Sequence, residues 1–163
     1  MNETLEDLAG NDIIDSRDLV RRYEELKEER ADLLEVTKDL DGQLADAREQ
    51  EGSNQDLIDE LAGDLEDAVD QLDQWDDENS GELDALESII EEGSGYGEFE
   101  DGTSLINESY FVEYARQLAD DIGAVNNEAH WPNDHIDWES AAEDLKTDYT
   151  TLEIESDTYY YRV

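Results

Sequence analysis

The order of apolar and polar positions divides this chain into stretches of different character. From residue 17 to about residue 51, Leu19, Leu26, Leu33, Leu40 and Ala47 recur every seven residues. Tyr23, Arg30, Thr37 and Leu44 fill the companion positions four residues on, so the segment predicts a heptad helix with one seam. Gly52, Ser53 and Asn54 interrupt it, and Ser53 or Asn54 is placed to cap a second helix. That helix carries Ile58, Leu61, Leu65, Ala68, Leu72 and Trp75, with spacings alternating between three and four. Asn79, Ser80 and Gly81 are expected to end it, and Leu83, Leu86, Ile89 and Ile90 to mark a further short helix.

The remaining pattern is mixed. Leu5, Leu8, Ile13 and Ile14 form an apolar lead-in, with Asp15 or Ser16 as N-cap of the first heptad helix and Ile13 and Ile14 making staple contacts. Gly93, Gly95, Gly97 and Gly102 predict an irregular segment packed by Tyr96 and Phe99. Tyr110, Phe111, Tyr114, Leu118 and Ile122 predict a helix closed by Gly123, and Trp131, Pro132 and Asn133 a turn. Asp137 is the expected N-cap of a helix from residue 138 to 149 with Ala141, Ala142 and Leu145 inward. Leu152 and Ile154 alternate with acids, residues 155–157 turn, and Tyr159, Tyr160 and Tyr161 give a second strand. The expected fold is mainly α with a small C-terminal α+β domain. Its long heptad helices form a helical hairpin or a dimeric coiled coil. The expected boundaries are a lead-in (1–15), a helical arm (16–79), a short helix and Gly-rich loop (80–104), and the α+β domain (105–163).

Charge changes the picture. The 163 residues hold 50 Asp and Glu against 10 Lys and Arg, a net charge of −40. Between Glu49 and Ala115 there are 23 acids and no Lys or Arg. A run of one sign is ordinarily disordered, but the apolar stripe within it predicts a folded, acid-covered helix. Seven of the ten bases fall on the first heptad helix (Arg17, Arg21, Arg22, Lys27, Arg30, Lys38, Arg48), where Asp18–Arg22, Glu24–Lys27 and Glu35–Lys38 are spaced to pair. Residues 56–78 carry 11 carboxylates: Asp56, Asp59, Glu60, Asp64, Glu66, Asp67, Asp70, Asp73, Asp76, Asp77 and Glu78. At about 1.5 Å rise per residue that is roughly one carboxylate per 3 Å. A B-DNA strand presents one phosphate per ~3.4 Å of axis. These side chains are therefore the expected phosphate-mimicking, partner-binding residues, and Leu19, Leu26, Leu33 and Leu40 the expected dimerisation residues.

The same charge excludes direct binding to nucleic acid or to an anionic membrane and calls for a basic partner. With no Cys, disulfides and thiolate zinc sites are ruled out. No signal-peptide pattern follows Met1 and no apolar stretch approaches membrane-spanning length, so a cytoplasmic location is expected. His130 and His135 with Asp134 and Asp137 match no zinc spacing. Asp73, Asp76, Asp77, Glu78 and Asn79 lack a calcium-loop pattern and read as a solvated helix end. No nucleophile elbow, phosphate loop or metalloprotease helix is present, and Tyr159–Tyr161 read as core rather than a base-stacking platform. The expectation is a non-enzyme without cofactor or metal.

A resemblance adds a direction. Residues 135–149, HIDWESAAEDLKTDY, followed by a strand pair, resemble the last domain of ArdA-type antirestriction proteins. Residues 110–123, YFVEYARQLADDIG, extend the likeness more loosely, and residues 13–19, IIDSRDL, resemble the opening of phage and prophage proteins with the same domain. The matching pieces cover under half the chain. That family is acidic, cytosolic and associated with DNA mimicry against type I restriction enzymes. It is built of small mixed domains, whereas residues 16–78 here read as long helices. The resemblance implies a phage or mobile-element origin and interference with a host DNA-binding defence protein, with no catalytic residues carried over. The target does not carry over with it: a restriction enzyme, a CRISPR effector or another nuclease all fit. Two other readings keep the charge but change the role: an acidic coiled-coil chaperone for basic proteins such as histone-like proteins, and a halophile-adapted structural protein.

Overall fold

The computed structural model describes residues 3–52, 54–95, 99–126 and 128–162. These are predominantly helical, with one four-stranded antiparallel sheet. In chain order the elements are α1 (Leu5–Ala9), β1 (Ile13–Asp15), α2 (Ser16–Glu49), α3 (Gln55–Ser94), α4 (Phe99–Gly102), β2 (Ser104–Asn107), α5 (Phe111–Asp121), α6 (Trp138–Lys146), β3 (Thr150–Ile154) and β4 (Asp157–Tyr161). Single 3-10 turns precede α5 (Glu108–Tyr110) and α6 (Asn133–His135), and the Trp131–Pro132 peptide is cis. No helix among the described residues is long and apolar enough to cross a membrane.

The chain forms two compact units. Met1–Arg22 and Leu86–Val163 make the first, and Tyr23–Ala85 the second. In the first unit the strands lie in the order β1-β2-β4-β3. The register puts Ile14 opposite Leu105, Asn107 opposite Tyr159 and Leu152 opposite Tyr159, all on one face. Ile14, Leu105, Leu152, Ile154, Tyr159 and Tyr161 are buried there. The Tyr159 hydroxyl donates to Ala9 O (2.7 Å) and Asn11 O (2.9 Å), which ties the sheet to the end of α1, and Phe99 meets Tyr161 edge-on. The other face presents Ile106 and Tyr160, covered by Phe111 and Ala115 of α5 and Ala142 of α6.

The lead-in is thus part of the sheet. α1 begins at Thr4, whose hydroxyl accepts from Asp7 N while Asp7 accepts from Thr4 N, a reciprocal cap. Ile13 and Ile14 form a strand rather than a staple, because Ile14 fills the apolar face beside Leu105 and the ladder continues through Asn107 N to Asp12 O and Ser16 N to Thr103 O. Ser16 is fully buried: its Oγ donates to Phe99 O (2.5 Å) and accepts from Thr103 N (2.7 Å). Asp15 caps α2, accepting from Arg17 N (3.0 Å), and the Arg17 guanidinium holds its carboxyl below the ordinary value.

Two expected breaks are absent. Asn79, Ser80 and Gly81 lie inside α3, which runs unbroken to Ser94 and absorbs the expected short helix. The reason is phase: Asn79, Glu82, Leu86, Ile89 and Gly93 continue the three-four alternation of Leu72 and Trp75, and Asn79 donates its side-chain amide to Trp75 O (3.0 Å) within the helix. The Gly-rich segment also holds more regular structure than expected, since α3 ends within it and α4 follows. Phe99 of α4 packs directly on Gly93, where any Cβ would collide with its ring. Tyr96 and Gly97, expected in that segment, and Ser53, a candidate cap, lie outside the described residues. Asn54 does cap α3, accepting from Asp56 N (3.1 Å). At the C-terminal end Asp137 caps α6 through Ser140 N (3.1 Å), and β3 and β4 pair around Glu155, whose φ is 55°.

Candidate protein-interaction surface

The second unit is built from α2 beyond Arg22 and from α3 up to Ala85, and its chemistry follows from which side of each helix is apolar. Along α3, Leu61 and Ala68 are buried and Ile58, Leu65, Leu72 and Trp75 are half-buried. A helix turns once per ~3.6 residues, so residues off this stripe face water. Asp56, Asp59, Glu60, Asp64, Glu66, Asp67, Asp70, Asp73, Asp77 and Glu78 are all exposed. Asp59 accepts from Gln55 (2.8 Å) and Glu78 from Gln74 (3.0 Å), interactions along the helix that leave both carboxylates at the surface. Because α3 does not stop at residue 79, the acids continue through Asp84, Glu87, Glu91 and Glu92, also exposed. The 40-residue helix contains no Lys or Arg.

Asp76 differs from the other ten. Its Oδ1 accepts from Arg30 Nε (2.7 Å) and its Oδ2 from a terminal Arg30 nitrogen (3.2 Å), a two-pronged pair between α3 and α2. The guanidinium hydrogen bond lowers the Asp76 carboxyl and raises Arg30, with Asp84 adding to the latter. One residue earlier, Trp75 Nε1 donates to Glu29 Oε2 (3.2 Å). In the sequence Asp76 is indistinguishable from the expected phosphate mimics around it; the one legible signal of its separate role is Arg30, a cation at an apolar heptad position. Thr37, the other polar seam position, turns its hydroxyl onto Leu33 O (2.9 Å).

The seam leucines of α2 divide as well. Leu19 and Leu26 are fully buried within one chain, Leu44 is buried, and Leu33 and Leu40 are half-buried. Leu34, Val36, Leu57 and Val69 remain exposed on this unit. The bases of α2 are largely occupied: Arg21 pairs with Asp18 (2.8 Å) and Lys27 with Glu24 (3.3 Å), while Arg22 is buried. An open concavity of about 940 Å³ lies along α2 beside Asp32, Glu35, Lys38, Asp39 and Asp46. Its walls come from one helix, so nothing there encloses a ligand. No group of three or more potential metal ligands converges among the described residues. His130 and His135 are exposed.

In the first unit Lys146 and the Tyr114–Tyr149 pair serve the fold. Lys146 binds Glu143 (2.8 Å) and Glu108 (3.5 Å) and lies over the rings of Tyr160 and Phe111. The Glu143 hydrogen bond raises its pKa. The Tyr114 and Tyr149 hydroxyls meet at 2.9 Å, and burial pushes the Tyr149 phenol well up. No family model, curated protein or solved structure matches this chain.

Proposed function

We propose that the protein is a DNA mimic whose helical arm occupies the basic DNA-binding channel of a host defence protein, a restriction enzyme or a CRISPR effector. The observation that carries this reading is the unbroken α3, acidic from end to end, with ten of the eleven carboxylates of residues 56–78 at the surface. An ordinary solvated helix face intersperses Lys and Arg. Over ~60 Å of axis this one has none. The likeness of residues 110–123 and 135–149 to antirestriction proteins points the same way.

The arm is an antiparallel hairpin in this reading. Arg30–Asp76 and Glu29–Trp75 join positions nearly equidistant from the Gly52 connection, as a hairpin requires. Burial of Leu19 and Leu26 within one chain favours this arrangement over a two-chain coiled coil along the same seam. A homodimer then uses the apolar side chains left exposed on the arm, Leu34, Val36, Leu57 and Val69. Light scattering in 0.15 M salt should give two-chain mass, and a one-chain mass at micromolar concentration removes the dimer.

The function is tested by competition. Duplex DNA should raise the apparent Kd of the protein for its target. Asp59, Asp67, Asp70 and Asp73 changed together to Asn should weaken inhibition at least tenfold, about 1.4 kcal/mol. A matched set on α2 (Glu24, Glu28, Glu35 and Asp39 to Gln or Asn) should do much less. Equal losses from both sets favour the acidic chaperone reading, in which any polyanionic surface serves.

A further inference from the structure

Trp131 is the one exposed Phe, Tyr or Trp side chain among the described residues. Every other is buried or half-buried, yet Trp131 is 77% exposed. The backbone that carries it is held on both sides. Asn133 is buried and donates its amide to Asn126 O, Asp134 N reaches His130 O (2.8 Å), and His135 N reaches Pro132 O (2.9 Å). Ile122, at the start of the same connection between α5 and α6, is 70% exposed. A Trp side chain offers ~150–250 Å² for burial and is over-represented among the residues that dominate binding energy. The fold leaves this one in water while covering the other described Phe, Tyr and Trp side chains at least in part.

Charge decides what covers it. No Lys or Arg lies between Arg116 and Lys146, and Asp121, Glu128 and Asp134 are exposed around the loop. An exposed indole also suits a membrane interface or a nucleobase stack, but anionic lipid and nucleic acid both bring negative charge to a chain of net −40. A second copy is engaged elsewhere in the proposed homodimer, at Leu34, Val36, Leu57 and Val69 of the arm. We propose that Trp131, supported by Ile122, is an apolar anchor for a basic protein: the indole enters an apolar pocket, and Asp121, Glu128 and Asp134 meet Lys and Arg at its rim. This rests on the reading of the protein as an inhibitor of a basic target and adds a second contact, one that depends on shape rather than on charge alone.

The test measures binding of the wild type to purified type I restriction enzyme, guide-loaded CRISPR effector and histone-like protein, with poly-lysine as a polycation that has no pocket. For whichever protein is bound, Trp131→Ala should weaken binding at least tenfold at both 0.15 and 0.5 M salt, Trp131→Phe should recover most of it, and Ile122→Ser should give a smaller loss. Poly-lysine binding should not change. The Asp59, Asp67, Asp70 and Asp73 variant should lose affinity chiefly at the lower salt. Unchanged protein binding by Trp131→Ala overturns the anchor and leaves the arm reading standing. An equal loss on poly-lysine, or Trp131-dependent binding to phosphatidylcholine vesicles, also overturns it. Wild-type binding to no protein of the panel overturns both readings.

Discussion

Arg30 shows how much one residue can tell and where it stops. A cation at a heptad position between Leu26 and Leu33 is an anomaly in the sequence, and it announces a partner. Which partner is not legible, since eleven carboxylates on the facing segment are equivalent on paper. The structure selects Asp76, the one half-buried carboxylate among them, which accepts from Arg30 Nε at 2.7 Å. Its carboxyl is held below its ordinary value by the Arg30 hydrogen bond. A depressed folded-state pKa gives stability that is present above the unfolded value of 3.8 and is lost as pH falls through the folded value. Asp76→Asn should therefore melt below the wild type by a constant margin from pH 7 to 5, and the margin should shrink once pH drops under about 4. Melting curves of the two proteins across that range check it. A margin that grows on acidification would mean that Arg30 is not what holds this carboxyl.

At the scale of elements, the heptads were readable because burial on one side of a helix leaves a period in the sequence. The continuity of α3 was not, because Asn79-Ser80-Gly81 looks like a stop when read residue by residue. The seam spacing crosses it unbroken, and that non-local regularity outweighs the local propensity cost of one Gly and one Asn. Strands β1 and β2 left still less trace: each is three or four residues long, too short to alternate visibly, and partners such as Ile13 and Ile106 lie more than half the chain apart. The glycines separate the two situations experimentally. Gly81 has open space where a Cβ would go, so Gly81→Ala should stabilise by about 0.5–1 kcal/mol. That corresponds to about 1–4 °C in melting temperature for a chain of this size. Gly42 and Gly63 are equally open, so neither is there to admit a close neighbour. Gly93 is in contact with the Phe99 ring, and Gly93→Ala should destabilise because ring and helix must part. Thermal melts with opposite signs for residues 81 and 93 are the expected result. A helix broken at residue 81 would instead make Gly81→Ala neutral or harmful.

For the whole molecule the dominant quantity is the charge of −40, legible from composition alone, and its consequence is a fold that works against itself. The buried core of the first unit and the seam of the second must outweigh repulsion among exposed carboxylates that few bases offset. Salt weakens that repulsion: the Debye length contracts from ~30 Å at 0.01 M to ~10 Å at 0.1 M. Along α3, carboxylates a turn or two apart are separated by ~5–11 Å, within the longer distance and near the shorter one. Melting temperature should therefore rise between 0.01 and 0.1 M monovalent salt. The variant with Asn at Asp59, Asp67, Asp70 and Asp73 isolates the cause, because it removes four charges from the exposed side of α3 and leaves the seam intact. It should melt above the wild type at 0.01 M, and the gap should narrow at 0.1 M, where the wild type's repulsion is already screened. Parallel curves would show that the acids of α3 are not what salt relieves. A wild type that folds only in molar salt would move the halophile-adapted reading ahead of DNA mimicry, since a mimic has to keep its charges unscreened, and its arm folded, at the salt concentration where its target holds DNA.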